Sequence, residues 1–210
     1  MMRMILLITA CFFGALSYST PLRAGTIHGL IKDFAGLPVV GATVYAQSTN
    51  SPGARRQRIT TLSDVNGLFI LENLGPGSYG VYSYKESDGY ADPFFAFFAV
   101  SNTRAVRIIE VAERGTSNIV LIVGPKCAHL RLSIRNEEGM PVGGALTLTR
   151  VAALSAAVTI GVNSETSTLV PPVPLQFEFV ADGYEPWKSG VLNPRSAEKL
   201  EVKVSLKRSH

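Results

Sequence analysis

Apolar and polar residues alternate from Thr26 to Lys32. Ile27 and Ile31 fall on one side, His28 and Lys32 on the other, and Leu30 is the imperfect member. A period of two with polar residues outward predicts a half-buried strand. Asp33-Phe-Ala-Gly36 ends it in a turn, where glycine can take a positive φ without steric cost. Pro38 suits the start of the next strand, because it cannot donate to an interior ladder, and Ala42, Val44 and Ala46 carry the apolar face on. Ser63-Asp-Val-Asn-Gly67 reads as a turn before Leu68–Leu71, with Phe69 and Leu71 facing one way. Leu74-Gly-Pro-Gly77 is a second corner, after which Tyr79 and Val81 resume the alternation. Val106–Val111 and Ile119–Val123 flank a turn at Glu113-Arg114-Gly115. No segment of the mature chain carries a helical apolar stripe; the alanine-rich stretch Val151–Val158 is short and reads as strand or loop.

The pattern then recurs. Asp33-Phe-Ala-Gly-Leu-Pro-Val-Val-Gly-Ala42 aligns without a gap on Asn136-Glu-Glu-Gly-Met-Pro-Val-Gly-Gly-Ala145, which pairs Gly41 with Gly144 and Ala42 with Ala145. Upstream, Ile27 and Ile31 match Leu130 and Ile134; downstream, Asp88-Gly89-Tyr90 returns as Asp182-Gly183-Tyr184. Nothing after Ala145 matches the Asp64–Phe69 motif, so the second copy is expected to have lost that hairpin. Short strands with Gly and Pro corners at close spacing predict an all-β sandwich. Each unit holds about 90 residues, enough for a thin core, with the boundary near Gly124-Pro125.

Gly25–Asp33, Gly36–Ala42, Asp64-Val-Asn-Gly67, Phe69, Leu74–Gly77, Tyr79 and Gly89-Tyr90, taken in order, resemble the carboxypeptidase regulatory-like domain family over most of residues 25–123. The second unit keeps the first landmark group and the Gly-Tyr. The resemblance implies two tandem transthyretin-like, seven-stranded β-sandwich domains of Greek-key type, 25–123 and a degenerate 124–210. It also implies an accessory role without an active site, since such modules accompany peptidases, outer-membrane receptors and polysaccharide-processing proteins.

The first 24 residues read differently. Arg3 precedes an apolar run, Met4–Leu16, broken only by Thr9 and Gly14, and small residues follow at Ala15, Ser17, Ser19 and Ala24. This predicts a signal peptide over residues 1–24 and export to a periplasmic or extracellular site. The run falls short of the roughly 20 apolar residues of a membrane span. Ile8-Thr-Ala-Cys11 matches a lipobox, but cleavage there would strand Phe12 and Phe13 beyond a very short apolar core. Once Cys11 leaves with the leader, Cys127 stands alone at the start of a strand, as a buried thiol or as half of an intermolecular disulfide.

Composition narrows the chemistry. The charged fraction is only 17% and the net charge +4, with no basic face interleaved with aromatics, so nucleic acid is not an expected partner. Arg55, Arg56 and Arg58 read as a solvated loop. His28, His129 and His210 are scattered, which gives no zinc site of ordinary spacing, and no cofactor motif is present. Asp64-Val-Asn-Gly67 lacks the later ligands of a calcium loop and reads as a hairpin turn. A related purine-breakdown hydrolase uses paired histidines and a Tyr-Arg-Gly-Ser terminus, whereas this chain ends Lys207-Arg-Ser-His210. Related pilin-type sandwiches join a strand lysine to an asparagine, but Ile31 fills the expected lysine position. Catalytic, cofactor and metal sites are therefore all expected to be absent.

What remains is binding. Phe94, Phe95, Phe97 and Phe98 crowd one strand-like run, so alternation leaves two of them on the face away from the core. Such rings make platforms for sugars or partner surfaces, unless the second unit packs over them. Trp187, the only tryptophan, follows the second Gly-Tyr. Two functions stay open: an interaction module docking on an envelope protein, or a carbohydrate-binding module using these aromatics.

Overall fold

The computed structural model describes residues 24–49, 58–93, 106–151 and 157–209. It is built almost wholly of strands, with one 3-10 turn at Glu86–Asp88. None of its described helices is long and apolar enough to cross a membrane.

Two sandwich-like bodies repeat one topology. In the first, β1 (Gly25–Lys32) lies between β4 (Leu68–Leu74) and β7 (Thr116–Ile122). The facing sheet has β2 (Thr43–Ser48) and β5 (Gly77–Tyr84) at its centre, β3 (Arg58–Leu62) and β6 (Val106–Val111) at its edges. The second body places β8 (Ala128–Asn136) between β11 (Glu165–Val170) and β14 (Lys199–Leu206). Opposite stand β10 (Ala157–Val162), β9 (Gly144–Arg150), β12 (Leu175–Val180) and β13 (Trp187–Lys188), in that order. The strand-to-strand correspondence is complete. In each body the first strand pairs in parallel with the last, Ile31 opposite Leu121 and Ile134 opposite Val204, and antiparallel with its other neighbour.

The two strands expected to be missing from the second copy are therefore present. In neither body do they form a hairpin: β3 and β4, like β10 and β11, lie in opposite sheets, so Asp64–Gly67 is a turn that carries the chain from one sheet to the other. β10 and β11 occupy the places of β3 and β4, but only Asn163 and Ser164 join them, where the first body uses Ser63–Gly67. The motif was lost with the longer turn; the strands were kept. Arg58 corrects the loop half of the solvated-loop reading, since it is exposed but lies on a strand. It opens β3 and its guanidinium stands 4.4 Å from the Tyr45 ring centroid, whereas Arg55 and Arg56 lie outside the described residues.

Alternation along the strands builds two separate cores. Ile27, Ile31, Val44, Leu71, Leu74, Val81 and Leu121 fill the first, with Tyr90 of the Gly-Tyr pair at its margin. Leu130, Leu132, Ile134, Leu146, Leu148, Phe177 and Phe179 fill the second, with Tyr184 against it. The gapless alignment fails at one point. Ala42, Val44 and Ala46 are buried in β2's neighbourhood, whereas the buried residues of β9 are Leu146, Leu148 and Arg150 rather than Ala145. Gly41 takes a φ of 64° and adds a residue to the first turn, while Gly144 already belongs to β9. The Gly-Ala identity is thus one position out of register.

One turn chemistry appears three times. Asp33 Oδ1 accepts the amides of Ala35 and Leu37 at 2.9 and 3.0 Å. Asn136 Oδ1 accepts those of Glu138 and Met140 at 3.1 and 2.8 Å, and Asp64 Oδ1 those of Asn66 and Leu68, both at 2.8 Å. Each loop closes with a glycine in the left-handed region, Gly36, Gly139 or Gly67. Because asparagine already performs this task in the second body, Asp33→Asn is expected to be nearly neutral. Asp33→Ala should cost about 1 kcal/mol for the lost backbone acceptor. Urea midpoints measure both; equal losses would show that charge, not turn geometry, matters at this site.

Candidate functional site

The outer face of the β4–β1–β7 sheet departs from a sandwich's ordinary polar exterior. Ladder partners bring Leu68 and Val120 to either side of Leu30, and Ile70 and Asn118 to either side of His28. Leu68, Ile70 and Val120 stay between 46% and 49% exposed, so none of the described residues buries them. Leu62, at the end of β3, and Asp64 rise beside this face and bound a groove of about 720 Å³ whose floor includes His28 and Leu30. The backbone beneath gives the reason for this division. Gly29 turns toward the core, where the Phe69 ring lies so close that an added Cβ would sit 2.1 Å from its Cζ. Its neighbours His28 and Leu30 are thereby directed outward.

The second body supplies the comparison. Register places Arg131 and Ser133 on β8 where β1 has His28 and Leu30. Glu165 and Ser167 stand for Leu68 and Ile70, while Glu201 and Lys203 stand for Asn118 and Val120. These groups pair with one another: Ser133 Oγ donates to Glu165 at 2.9 Å, and the Arg135 guanidinium reaches the same carboxylate at 3.3 Å. One architecture thus carries an apolar face in one copy and a charged face in the other.

A second opening, of about 750 Å³, lies where the bodies meet, with Glu86 and Asp92 on one side and His129, Arg131, Lys199 and Glu201 on the other. Asp92 is buried and accepts the Tyr45 hydroxyl at 2.8 and 3.0 Å. Tyr45 stacks on Tyr82 with centroids 5.0 Å apart. Burial, then the Asp92 carboxylate, pushes the Tyr45 phenol far above its ordinary range. A phenol so held stays protonated and serves as a structural donor rather than as a base.

Trp187, on β13, is half-buried, pairs with Phe179 across the ladder and packs against the second core. Phe94, Phe95, Phe97 and Phe98 lie outside the described residues. His28 and His129 stand on different bodies' outer faces, and among the described residues no three His, Cys, Asp or Glu side chains are grouped to hold a metal. Cys127 is buried and unpaired, and burial pushes its thiol up to about 11. Reaction needs the thiolate. At pH 8 the folded chain is expected to leave Cys127 unalkylated by iodoacetamide, with modification only after denaturation. Prompt labelling of the native protein, read by peptide mapping, would contradict that burial.

Leu30 had signalled the apolar face, since an outward leucine breaks the alternation. The unbroken runs Leu68–Leu71 and Ile119–Val123 were the other sign, because a strand exposed on one face does not need apolar residues on both.

No family model and no curated protein matches the chain. Among solved structures it is similar to the Bacillus anthracis TIE protein, at 16% identity and a TM-score of 0.36, over 89% of this chain and 34% of that one. A streptococcal ancillary pilin is 13% identical with a TM-score of 0.40, over 90% of this chain and 64% of the pilin. A DUF3823 family protein from Bacteroides uniformis is 12% identical with a TM-score of 0.36, over 80% and 99%. The chain spans about a third of the TIE protein and under two thirds of the pilin. The sandwich assignment itself stands on the strand pairing.

Proposed function

We propose that this chain is an exported, non-catalytic interaction module of the bacterial cell envelope. In this reading domains 25–123 and 124–210 are both of carboxypeptidase regulatory-like type, and the first docks on a partner protein through the outer face of β4–β1–β7. One observation carries it. The same face in two copies of one fold is apolar and left half-exposed by the described residues in the first, and lined by charged and hydroxyl side chains in the second. Leaving leucine, isoleucine and valine half-exposed forgoes roughly 25 cal/mol per Å² of apolar area, and a cluster of this kind marks an interaction surface.

The test is photocrosslinking in the cells that make the protein, with a benzophenone side chain at position 70 or at the equivalent position 167. A discrete partner at 70 and none at 167 is expected. The same adducts at both positions, or none at either, would overturn the reading. For a polysaccharide ligand read by Trp187, the packing of that ring on the second core is unfavourable. A broad glycan panel is expected to leave its fluorescence unchanged; saturable quenching would restore that alternative.

A further inference from the structure

We propose that the occupant of the β4–β1–β7 face is an amphipathic α-helix of about three turns, supplied by the partner and carrying basic residues along one flank. This rests on the docking reading above and specifies its chemistry. Three features of the face select the helix.

The first is size. Three strands about 4.8 Å apart, each contributing about five residues at roughly 3.4 Å, give a face near 14 by 17 Å, on the order of 240 Å². A stable interface between two proteins of this kind takes about 800 Å² from each. A second copy, like any partner, would have to bring surface from beyond this strip, whereas the outline of the strip itself matches a helix about 10 Å across and 16 Å long.

The second is hydrogen bonding. β1 is paired on both sides, to β4 and to β7, so its backbone has no free donor or acceptor for a ligand resting on the face. A segment whose backbone is buried there must satisfy its own amides and carbonyls. A helix does so within itself; an extended peptide does not.

The third is charge. Although the chain as a whole carries +4, the β4 side of the strip is acidic, with Asp64 beside the groove and Glu72 two residues beyond Ile70 on the same outer face. The carboxylate of Asp64 is fixed by its own turn and cannot swing away. Lysine or arginine along the helix flank above β4 complements this rim, and at such an exposed edge it contributes more to orientation than to affinity.

The test uses the full chain with methyl groups labelled and three synthetic peptides of one composition, leucine and lysine. One is patterned at helical spacing with lysines on one flank, one alternates strictly as a strand former, and one is scrambled. The helical peptide is expected to shift the methyl resonances of Leu30, Leu68, Ile70 and Val120 saturably, with the other two at least tenfold weaker. The double variant Leu68→Glu, Val120→Lys installs the residues that the second body already tolerates at Glu165 and Lys203, so it should fold, and it should lose the response at least tenfold. Equal binding of the alternating peptide, no shifts with the helical one, or shifts that survive in the double variant would each overturn the proposal. Concentration-dependent shifts of the same methyls without peptide, together with a dimer in sedimentation, would instead assign the face to a second copy. A partner crosslinked at position 70 alongside silent peptides would refute the helix alone and leave docking standing.

Discussion

Ile31→Asp is expected to unfold the first body and leave the second folded, while His28→Asp, three positions back on the same strand, is tolerated. Ile31 is fully buried between the sheets, opposite Leu121; its N–H donates to the Gly67 carbonyl at 2.8 Å and its carbonyl accepts the Val39 N–H at 3.1 Å. Removing its side chain forfeits roughly 1.5–3 kcal/mol of apolar burial. The aspartate adds the cost of an unpaired charge in the same place, several kcal/mol more. Together these match the whole stability of a domain this size, about 5–15 kcal/mol. His28 points to the groove, where water reaches it. The chain reports the two outcomes separately. Its only tryptophan sits in the second body, so Ile31→Asp should abolish about half the strand signal in circular dichroism with Trp187 emission unmoved. Loss of both signals together would mean that the bodies fold as one unit; equal tolerance of both variants would mean that the register of β1 is wrong.

Gly144→Ala is the second large effect, and it acts on the other body. A Cβ at Gly144 would sit 2.4 Å from the Val180 carbonyl oxygen and 2.7 Å from Phe179 Cζ, both on the neighbouring strand β12. The nearer obstacle is backbone locked in a ladder, so it cannot rotate away, and overpacking of this kind costs about 1–3 kcal/mol or more. Trp187 emission should shift red at a lower urea concentration. Gly161→Ala, on the edge strand β10 with nothing within 4 Å of the new Cβ, is the control and should change little. A Gly144→Ala chain as stable as this control would show that β9 and β12 are not packed as described.

These two positions also mark how far the residues alone could be read. Ile27 and Ile31 named the core face of β1 because alternation is a local property, and the Asp-x-x-Gly and Asn-x-x-Gly turns announced themselves through the special backbone they require. The paired Gly-Ala dipeptides misled because identity does not fix conformation. Gly41 is glycine for its positive φ, whereas Gly144 is glycine because a carbonyl oxygen lies where its side chain would be. β3 was hidden behind a run of arginines, although Ile59-Thr-Thr-Leu62 has the right residue types. β10 and β11 were hidden because a two-residue connection left no motif to align.

The candidate site was legible only as an anomaly. Leu30 broke a pattern, but nothing in one strand says that Leu68, Ile70 and Val120 will be set beside it. That juxtaposition arises from pairing across about 40 residues to β4 and about 90 to β7, which no window of local sequence contains. The contrast with the charged face of the second body is further removed still, because it needs both registers at once.

The equivalence of those two faces stands on each body pairing its first strand in parallel with its last. Interstrand nuclear Overhauser contacts in the intact chain measure this directly. Backbone contacts linking Leu30 to Val120 and Ser133 to Lys203, both with parallel geometry, are expected, together with antiparallel contacts between β8 and β11 at Ser133 and Glu165. Antiparallel contacts between β8 and β14, or none between β8 and β11, would contradict the duplicated sandwich and remove the comparison on which the apolar face was recognised.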